Sequence, residues 1–372
     1  MRIAINALAM RRELYGVANY IRSLIQALSR VDSENEYLVI VPSESACHVQ
    51  GLSERFYVEV GPGDPKRRIV WEQTVLPWKL KQNGIDVYHG PAFAAPLLKT
   101  CRQVVTVHDT TFRLTPKEHA LRRRLYLGLM VPAMVRRCDR MIAVSNSTKA
   151  DVLDLEGARE EKIEVVPLGV DERFAPMHCK KQLENVRKKY GLPDRFILFV
   201  GVIEPRKNLE RLVEAYVASS VYHEFGLVLA GSLGWGYSNL LDKVNRVGIK
   251  ERIHMPGYVA DADLPTLYSA ASAFVYPSLY EGFGLPVLEA MACGTPVITS
   301  CVSSLPEVAG RAAVLIDPQN TSEIASALCR VLSDRTFAGE LSALGRERAK
   351  LFNWEQTARE SLAVYERTRM EN

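Results

Sequence analysis

Short β-prone runs alternate with longer stretches of helical spacing along the chain, and this alternation limits the folds open to it. The first run is Arg2–Asn6, followed by helical spacing over Gly16–Leu28 and a second run at Tyr37–Val41. Such alternation is typical of right-handed β-α-β units around a mainly parallel sheet. The first half of the chain is therefore predicted to be a doubly wound α/β domain.

The same alternation starts again after a charged, irregular connection at Asp171–Asp194, beginning with the strongly apolar run Phe196–Gly201. A chain of 372 residues is also long enough for two buried cores. We therefore predict two Rossmann-like α/β domains, residues 1–172 and 173–353, facing each other across a cleft. A last helix at about 354–370 is expected to pack back on the first domain.

The basic residues are concentrated in one segment of a chain whose total charge is small. The formal net charge is +4, too small an excess over this length to indicate nucleic-acid binding. Between Arg113 and Arg140 there are eight basic and two acidic residues. Lys117–Arg140 is interpreted either as an ordinary helix on the sheet with its arginines in water, or as a surface that docks on anionic lipid.

The cysteines and the apolar segments indicate the compartment in which the protein acts. The seven cysteines form no CxxC pair and no zinc-binding spacing, which favours reduced thiols in the cytosol. Residues 1–7 lack the features of a signal peptide, and Leu125–Val135 is too short to span a bilayer. We expect a cytoplasmic protein, peripheral on the inner face of the membrane if Lys117–Arg140 docks there.

The loop after the run ending at Tyr276 is the first candidate site, because open α/β sheets bind ligands at the carboxyl ends of their strands. It contains Glu281, and the spacing places Glu289 in the first turn of the following helix. Two carboxylates can accept hydrogen bonds from a polyol. Alternatively, Glu289 only complements the helix dipole, or Ser278–Glu281 is a capping box.

Backbone amides add to this first candidate site. Pro286 suits the first helical position. The N–H groups of Phe283, Gly284 and Leu285 would then lie at a helix N-terminus, where anions and hydroxyl groups bind.

A second candidate loop places Arg206 and Lys207 at a helix start, after a strand that ends in Gly201. Cations at a helix N-terminus oppose the helix dipole. A bound diphosphate would remove that conflict. The alternative is a pair of solvated surface charges.

Two loops of the first half carry weaker signals. Gly16 opens a helix after the first strand and would let the backbone approach a ligand. No GxGxxG fingerprint follows any strand, so a plain helix start explains Gly16 equally well. His108 ends another strand and would bond either a sugar hydroxyl or a phosphate, or serve only the structure.

Together these motifs resemble the retaining GT-B glycosyltransferases of family four, known as group 1. Glu281 and Glu289 are separated by seven residues, the E-x7-E arrangement of that family, with Arg206-Lys207-Asn208 upstream and Gly294-Thr-Pro-Val297 downstream. The match extends from about residue 2 to about residue 368 and is similar to bacterial mannosyltransferases of polysaccharide assembly. Family members often carry a basic residue where this chain has Ala18 and Asn19, so this chain is expected to bind its acceptor differently.

The resemblance implies transfer of a hexose, with retained configuration, from a nucleotide-diphosphate sugar to a glycan or lipid-linked acceptor. GDP-mannose is the first expectation for the donor. No cofactor and no metal are expected, since cations and helix ends would stabilise the leaving diphosphate and the sequence has no DxD-type cluster suited to Mg²⁺.

The resemblance also implies that residues 1–172 are the acceptor-side domain and residues 173–353 the nucleotide-sugar-binding domain, and it implies a role for each candidate residue. Arg206 and Lys207 would hold the diphosphate. Glu281 and the Phe283–Leu285 backbone would hold the transferred sugar, and Glu289 would bind the ribose. Gly16 would lie close to the phosphates, and His108 would lie close to the sugar.

Two other classes of function are compatible with the same scaffold, because a fold does not fix a function. One is a nucleotide-sugar epimerase or a phosphorylase. The other is a non-catalytic nucleotide-sugar binding module, which would be expected to lose phosphate or sugar contacts. This chain keeps both glutamates and the Arg-Lys pair, which favours the transferase.

Overall fold

The structure is a computed structural model that describes residues 1–10, 16–93, 95–111, 121–219, 221–246 and 248–370. It divides into two α/β units. The first comprises Met1–Gly169 with Asn353–Asn372, and the second comprises Val170–Phe352. None of the described helices is long and apolar enough to cross a membrane.

The first unit is built on a seven-stranded sheet in the order β3-β2-β1-β4-β5-β6-β7, with every neighbouring pair parallel. Its strands are β1 Arg2–Asn6, β2 Glu36–Pro42, β3 Phe56–Gly61, β4 Val87–Gly90, β5 Arg102–Val107, β6 Arg140–Ala143 and β7 Ile163–Val165. Its described helices are α1 Val17–Val31, α2 Pro65–Thr74, α3 Leu76–Gln82, α4 Leu121–Arg137, α5 Asn146–Glu156 and, at the C-terminus, α14 Trp354–Met370. Because helices cover both faces of such a sheet, central strands read as continuous apolar runs.

The second unit is built on a six-stranded, all-parallel sheet in the order β10-β9-β8-β11-β12-β13. Its strands are β8 Phe196–Val200, β9 Gly226–Ala230, β10 Ile253–Gly257, β11 Ala273–Tyr276, β12 Val297–Ser300 and β13 Val314–Ile316. Its described helices are α6 Lys180–Tyr190, α7 Leu209–Ala218, α8 Ser238–Arg246, α9 Leu264–Ala270, α10 Leu285–Ala292, α11 Leu305–Ala309, α12 Thr321–Ser333 and α13 Arg335–Ala349. The prediction of two doubly wound α/β sheets is confirmed.

The sequence pattern missed two of the four edge strands and misread one helix. β3 and β10 each lie at the edge of a sheet, where an uncovered face removes the continuous apolar signal: Val58 and Val60 of β3 are exposed. The helical spacing of Ile69–Gln82 in the sequence predicts one helix, but the structure has two, α2 and α3. Pro77 lies in the first turn of α3 and lacks the N–H that a continuous helix would need there.

A buried polar chain attaches α14 to the sheet of the first unit. The Tyr365 hydroxyl shares a 2.7 Å hydrogen bond with His89 Nδ1, and His89 Nε2 shares one of 2.8 Å with Thr106 Oγ1. Thr106 in turn lies 3.0 Å from the Tyr20 hydroxyl of α1. Burial lowers the pKa of His89 to about 3, so this imidazole is neutral and serves as a hydrogen-bonding connector.

The loops after β8 and β9 approach each other at two glycines. The amide of Ile203 donates to the Ser232 carbonyl over 2.9 Å. Gly231 has a φ of +143°, and a Cβ built there would lie 1.9 Å from the carbonyl oxygen of Gly201. Only glycine allows this approach without a backbone shift.

Replacing Gly231 by alanine should therefore destabilise the second unit. Gly231→Ala is expected to lower the free energy of unfolding by roughly 1–3 kcal/mol, because the methyl group meets backbone rather than a flexible side chain. Denaturant unfolding of the full chain measures the change. The matched control is Gly339→Ala in α13, where a Cβ meets nothing within 4 Å, so stability should stay equal or rise slightly. Equal losses in both variants would contradict the prediction.

Candidate functional site

The loop after β8 folds into a rigid turn that presents two cations. Pro205–Lys207 form a single 3-10 turn, and Asn208 caps α7 from the left-handed region with a φ of 58°. The Asn208 side-chain amide donates to the carbonyls of Pro277 and Pro318 over 3.2 and 2.6 Å. These carbonyls belong to the loops after β11 and β13, so one amide joins three strand ends.

Arg206 and Lys207 both contact one carboxylate, that of Glu281. Arg206 NH1 lies 2.8 Å from Glu281 Oε2, and Lys207 Nζ lies 2.6 Å from Oε1. Lys207 also donates to the Tyr276 hydroxyl over 2.6 Å, while Arg206 NH2 contacts Glu204 Oε1 over 2.7 Å. The side chain of Lys207 is only 7% exposed, which rules out a pair of solvated surface charges.

The cations determine the protonation state of Glu281. Burial by itself raises the pKa of this carboxyl, but the charges of Arg206 and Lys207 outweigh it and lower the pKa to about 2. Glu281 is therefore ionised at neutral pH, with each oxygen engaged by a cation. A carboxylate in this state holds charged groups in position and is a weak proton acceptor.

Hydrogen bonds from the loop after β12 fix the backbone that follows Glu281. Its amide donates to Ser303 Oγ over 3.0 Å, and Ser304 Oγ donates to the carbonyls of Glu281 and Phe283 over 2.9 and 2.8 Å. Gly284 then caps α10 with a φ of +109°. The first N–H groups of α10, at Leu285 and just before it, lie at a helix N-terminus.

Glu289 lies just beyond the first turn of α10, to which the sequence assigned it, because the helix starts one residue before the predicted first position, Pro286. The helix begins at Leu285, so Glu289 is in its second turn, where the helix dipole has little effect. The capping-box interpretation of Ser278–Glu281 is also wrong, because Gly284 rather than Ser278 occupies the cap position.

The environment of Glu289 differs from that of Glu281. Its Oε2 accepts a 2.8 Å hydrogen bond from the Tyr268 hydroxyl. Burial raises the pKa of Glu289 to about 7, although Tyr268 and the charge of Arg173 act in the opposite direction. The two glutamates of the E-x7-E pair thus differ in proton affinity, and only Glu289 titrates near neutral pH.

The two candidates of the first unit lie at its strand and helix ends. His108 follows β5, where Nε2 donates to the Pro91 carbonyl over 2.7 Å and the ring packs edge-on against Tyr20 at 4.8 Å between centroids. Burial lowers its pKa. Gly16 precedes α1 with a φ of 42° and open space where a Cβ would stand. The structure therefore brings Arg206, Lys207 and Glu281 into direct contact and places His108 and Gly16 in the other unit.

Sequence reasoning missed the residues that complete the cluster. Glu204, Tyr276 and Tyr268 contact the predicted cations and carboxylates. The sequence contained a signal for Glu204 alone, since a carboxylate two residues before Arg206 offers an obvious partner. The two tyrosines come from β11 and α9, and their direction is decided by packing.

A cavity of about 300 Å³ opens beside this turn, between α7 and α8. Its walls include Glu204, Asn208, Arg211, Tyr237 and Lys243. Lys207 and Glu281 are not part of its lining among the described residues.

Comparison with known proteins decides the family. Residues 182–350 match the model for glycosyl transferases group 1, and residues 15–174 match that for glycosyltransferase family 4. The O-antigen chain mannosyltransferase B of Escherichia coli is 34% identical over 290 residues, which cover 77% of this chain and 76% of that protein. The chain belongs to the group 1 glycosyltransferases.

Other relatives of this glycosyltransferase match it less completely or in fold alone. The serotype-specific mannosyltransferase WbdA of Escherichia coli is 32% identical over 63% of this chain, which spans only 29% of that protein. Two solved structures superpose with a TM-score of 0.78: sucrose-phosphate synthase from Thermosynechococcus elongatus, 23% identical with 98% of both chains covered, and Anabaena Alr3699/HepE in complex with UDP and glucose, 19% identical with 99% and 100% covered. They confirm the predicted GT-B fold.

The Glu281 contacts predict a pH-dependent loss of stability in Glu281→Gln. At pH 7 the variant should lose roughly 3 kcal/mol of unfolding free energy, since a neutral amide leaves two largely buried cations without their counter-ion. Because the folded-state pKa lies below the ordinary value of about 4.3, this contribution is present above that value and lost as the pH falls towards 2. Urea unfolding at pH 7 and at about pH 3 checks both statements.

The control for this experiment is Glu347→Gln, which removes a carboxylate paired with Lys350 on the surface, where both side chains are about 70% exposed. Little change is expected at either pH. A wild-type advantage over Glu281→Gln that stays constant from pH 7 to pH 3 would refute the role given to the ion pair.

Proposed function

We propose that this glycosyltransferase moves a hexosyl group from a nucleotide-diphosphate sugar to a glycan or lipid-linked acceptor, with retention of anomeric configuration. GDP-mannose is the proposed donor, supported by the mannosyltransferases among its relatives. The observation that carries the proposal is the buried contact of Arg206 and Lys207 with Glu281 at the carboxyl end of the second sheet. Ligands of open α/β sheets bind at that edge.

In this proposal Arg206 and Lys207 bind the donor diphosphate. Arg206 offers a planar set of N–H donors suited to phosphate oxygens, and Lys207 offers a compact charge. Their burial matters because charges act more strongly on a ligand where water is excluded. As the bond between the sugar and the diphosphate breaks, these cations would stabilise the negative charge that develops on the leaving phosphate oxygen.

The two glutamates would bind the two ends of the donor. Glu281, with the amides of Phe283, Gly284 and Leu285, would hold the transferred sugar beside the diphosphate. Glu289 would accept hydrogen bonds from the ribose hydroxyls, since a carboxylate that already accepts one bond from Tyr268 has further lone pairs available. Gly16 and His108 of the first unit remain proposed contacts to phosphate and sugar.

In this proposal the anomeric configuration is retained because Glu281 is unable to act as an effective base. A carboxylate with a pKa of about 2 and a cation on each oxygen is a weak base. The acceptor hydroxyl would therefore attack from the face that the diphosphate leaves, and its proton would pass to the leaving phosphate oxygen. The bond from C1 to the phosphate oxygen breaks while the bond from C1 to the acceptor oxygen forms, so the configuration is kept.

The same proposal excludes the need for a divalent metal, because Arg206 and Lys207 supply the charge that a metal would otherwise supply at the diphosphate. An epimerase would act on the donor alone, and a binding module would release no nucleoside diphosphate in the presence of any acceptor. Incubation with and without acceptor distinguishes these alternatives.

Arg206→Ala should lower kcat/KM roughly ten- to a hundred-fold, because one charge-assisted contact to the diphosphate is lost, about 1.5–3 kcal/mol. The assay follows nucleoside diphosphate release from GDP-mannose and UDP-glucose with a panel of glycan and lipid-linked acceptors, with and without EDTA. The anomeric configuration of the product is read by NMR. Arg246→Ala, on an arginine that is 80% exposed on α8, is the control and should leave kcat/KM unchanged. Inverted product, or complete loss of activity with EDTA, would overturn the corresponding part of the proposal.

Donor affinity should rise with pH through about 7, because the Glu289 carboxylate accepts ribose hydrogen bonds better than the protonated acid does. The change between pH 6 and pH 8 is expected to be up to roughly tenfold. Calorimetry with GDP-mannose tests it, since the diphosphate of a nucleotide sugar has no terminal phosphate that titrates in this range. Glu289→Gln should bind more weakly and lose the pH dependence. Parallel pH profiles for wild type and variant would contradict the assignment.

A further inference from the structure

Several large apolar side chains on α2, α3 and the loop before β5 are exposed to solvent. Val70 of α2 is 62% exposed, Trp78 of α3 is 61% exposed and Leu98, in the loop before β5, is 54% exposed. Val75 and Leu97 are about 40% exposed. Single exposed apolar side chains are ordinary, whereas a contiguous group indicates an interaction surface.

Hydrogen bonds place the segments that carry these side chains side by side. The Gln73 side chain of α2 donates to the Ala95 carbonyl over 3.3 Å and accepts from the Leu97 amide over 2.9 Å. Thr100 Oγ1 donates to the Pro77 carbonyl at the start of α3 over 3.1 Å. The loop of residues 95–100 therefore lies along α2 and α3. We call the exposed side chains of α2, α3 and this loop the α2–α3 face.

Basic side chains flank the apolar ones. Lys66 and Arg67 lie one turn before Val70 on α2, Lys81 lies three residues after Trp78, and all three are exposed. From residue 64 to residue 83 the chain has five basic and two acidic residues.

The acids of this region already have partners. Asp64 accepts hydrogen bonds from the amides of Lys66 and Arg67 as the cap of α2. Glu72 is buried and paired with Arg68 at 2.9 Å. Glu59 of β3 pairs with Lys79. Within the described part of the chain no carboxylate forms an ion pair with Lys66, Arg67 or Lys81, so their charges remain directed to solvent.

The charge pattern of the α2–α3 face favours an anionic bilayer over a second copy of the chain as its partner. A second copy of the chain that met this face with its own would place Lys66, Arg67 and Lys81 against like charges, which disfavours self-association. An anionic bilayer offers phosphate groups to the cations and a hydrocarbon boundary to Val70, Trp78 and Leu98. Tryptophan is the side chain most suited to that boundary, because its ring is apolar and its N–H polar.

We propose that the α2–α3 face docks on an anionic lipid bilayer. It adjoins the segment Lys117–Arg140 that the sequence suggested for this role, since Arg137 NH2 donates to the Leu97 carbonyl over 3.0 Å. Residues 112–120, which include Lys117, lie outside the described residues, and so do the side chains of Arg122, Arg123 and Arg124. The inference is independent of the donor and places the first unit, to which we assign the acceptor, at the bilayer surface.

Sedimentation of the full chain with liposomes tests the proposal. Binding should rise as phosphatidylglycerol increases from none to half of the lipid, and fall with added salt. A triple variant that combines Lys66→Ser, Arg67→Ser and Lys81→Ser should weaken binding at low salt by roughly a hundredfold. Val70→Ser with Trp78→Ser should weaken it about tenfold at every salt concentration, because these side chains contribute apolar contact rather than charge.

Tryptophan fluorescence provides a second measurement, which uses a variant that keeps the apolar contact of residue 78. Trp78 is largely exposed in the free protein, so its emission should shift to shorter wavelength when anionic liposomes are added. Trp78→Phe should bind normally and lose most of this shift. An unchanged emission shift in Trp78→Phe would show that another surface enters the lipid.

Matched controls use exposed residues of the second unit. Leu344→Ser with Leu351→Ser removes two apolar side chains that are 49% and 66% exposed, and Lys180→Ser with Lys181→Ser removes two exposed cations. Both controls should bind like wild type. Circular dichroism and thermal unfolding establish that every variant is folded.

Three outcomes would overturn the proposal. The first is wild type that ignores anionic liposomes at low salt. The second is binding that depends on Arg122, Arg123 and Arg124 and survives the α2–α3 variants, which would assign docking to Lys117–Arg140. The third is a mass that rises with protein concentration in sedimentation velocity without lipid, and that no longer rises in Trp78→Ser. That result would make this face a contact between copies of the chain.

Discussion

The buried carboxylate of Glu281 is the interaction on which the charged cluster of the second unit depends. It contacts Arg206 through one oxygen and Lys207 through the other. Without it, two neighbouring cations would lie in a largely water-excluded region, where like charges repel strongly. The cations in turn keep Glu281 ionised. Each charge is thus stable in its place because the others are present, and the cluster is set before any ligand arrives.

The backbone around this cluster is held as firmly as the charges. Asn208 links the loops after β8, β11 and β13 through its side-chain amide, and Ser304 holds two carbonyls of the loop that follows Glu281. Gly231 permits a backbone approach that any Cβ would block, and Gly284 has a φ of +109°, which residues with side chains rarely adopt. Such rigid loops fit a site that stabilises charge through groups placed in advance, because no reorganisation is then needed during the reaction.

The two glutamates show how one short motif can provide two different groups. Both are buried, and burial raises the pKa of each. Glu281 faces two cations, which reverse the effect, while Glu289 faces chiefly the Tyr268 hydroxyl and keeps a pKa of about 7. Eight positions along the chain separate an always-ionised anchor from a group that titrates near neutral pH. Spacing alone conveys none of this, since the difference lies in what each side chain meets after folding.

The sequence by itself determined the fold class, the family and the three charged residues at the centre of the cluster, Arg206, Lys207 and Glu281. Central strands covered on both faces must be apolar and the connections must be helical, so the pattern of β-α-β units is written locally. The edge strands β3 and β10, the break between α2 and α3 and the position of Glu289 in the second turn of α10 were missed, because each depends on a neighbour or on where a helix begins. Only the tertiary structure decided that Lys207 is buried, that Tyr276 and Tyr268 complete the site, and that the loop carrying Leu98 lies along α2 and α3. Those facts depend on contacts between residues far apart in the chain, and packing alone determines which side chains meet.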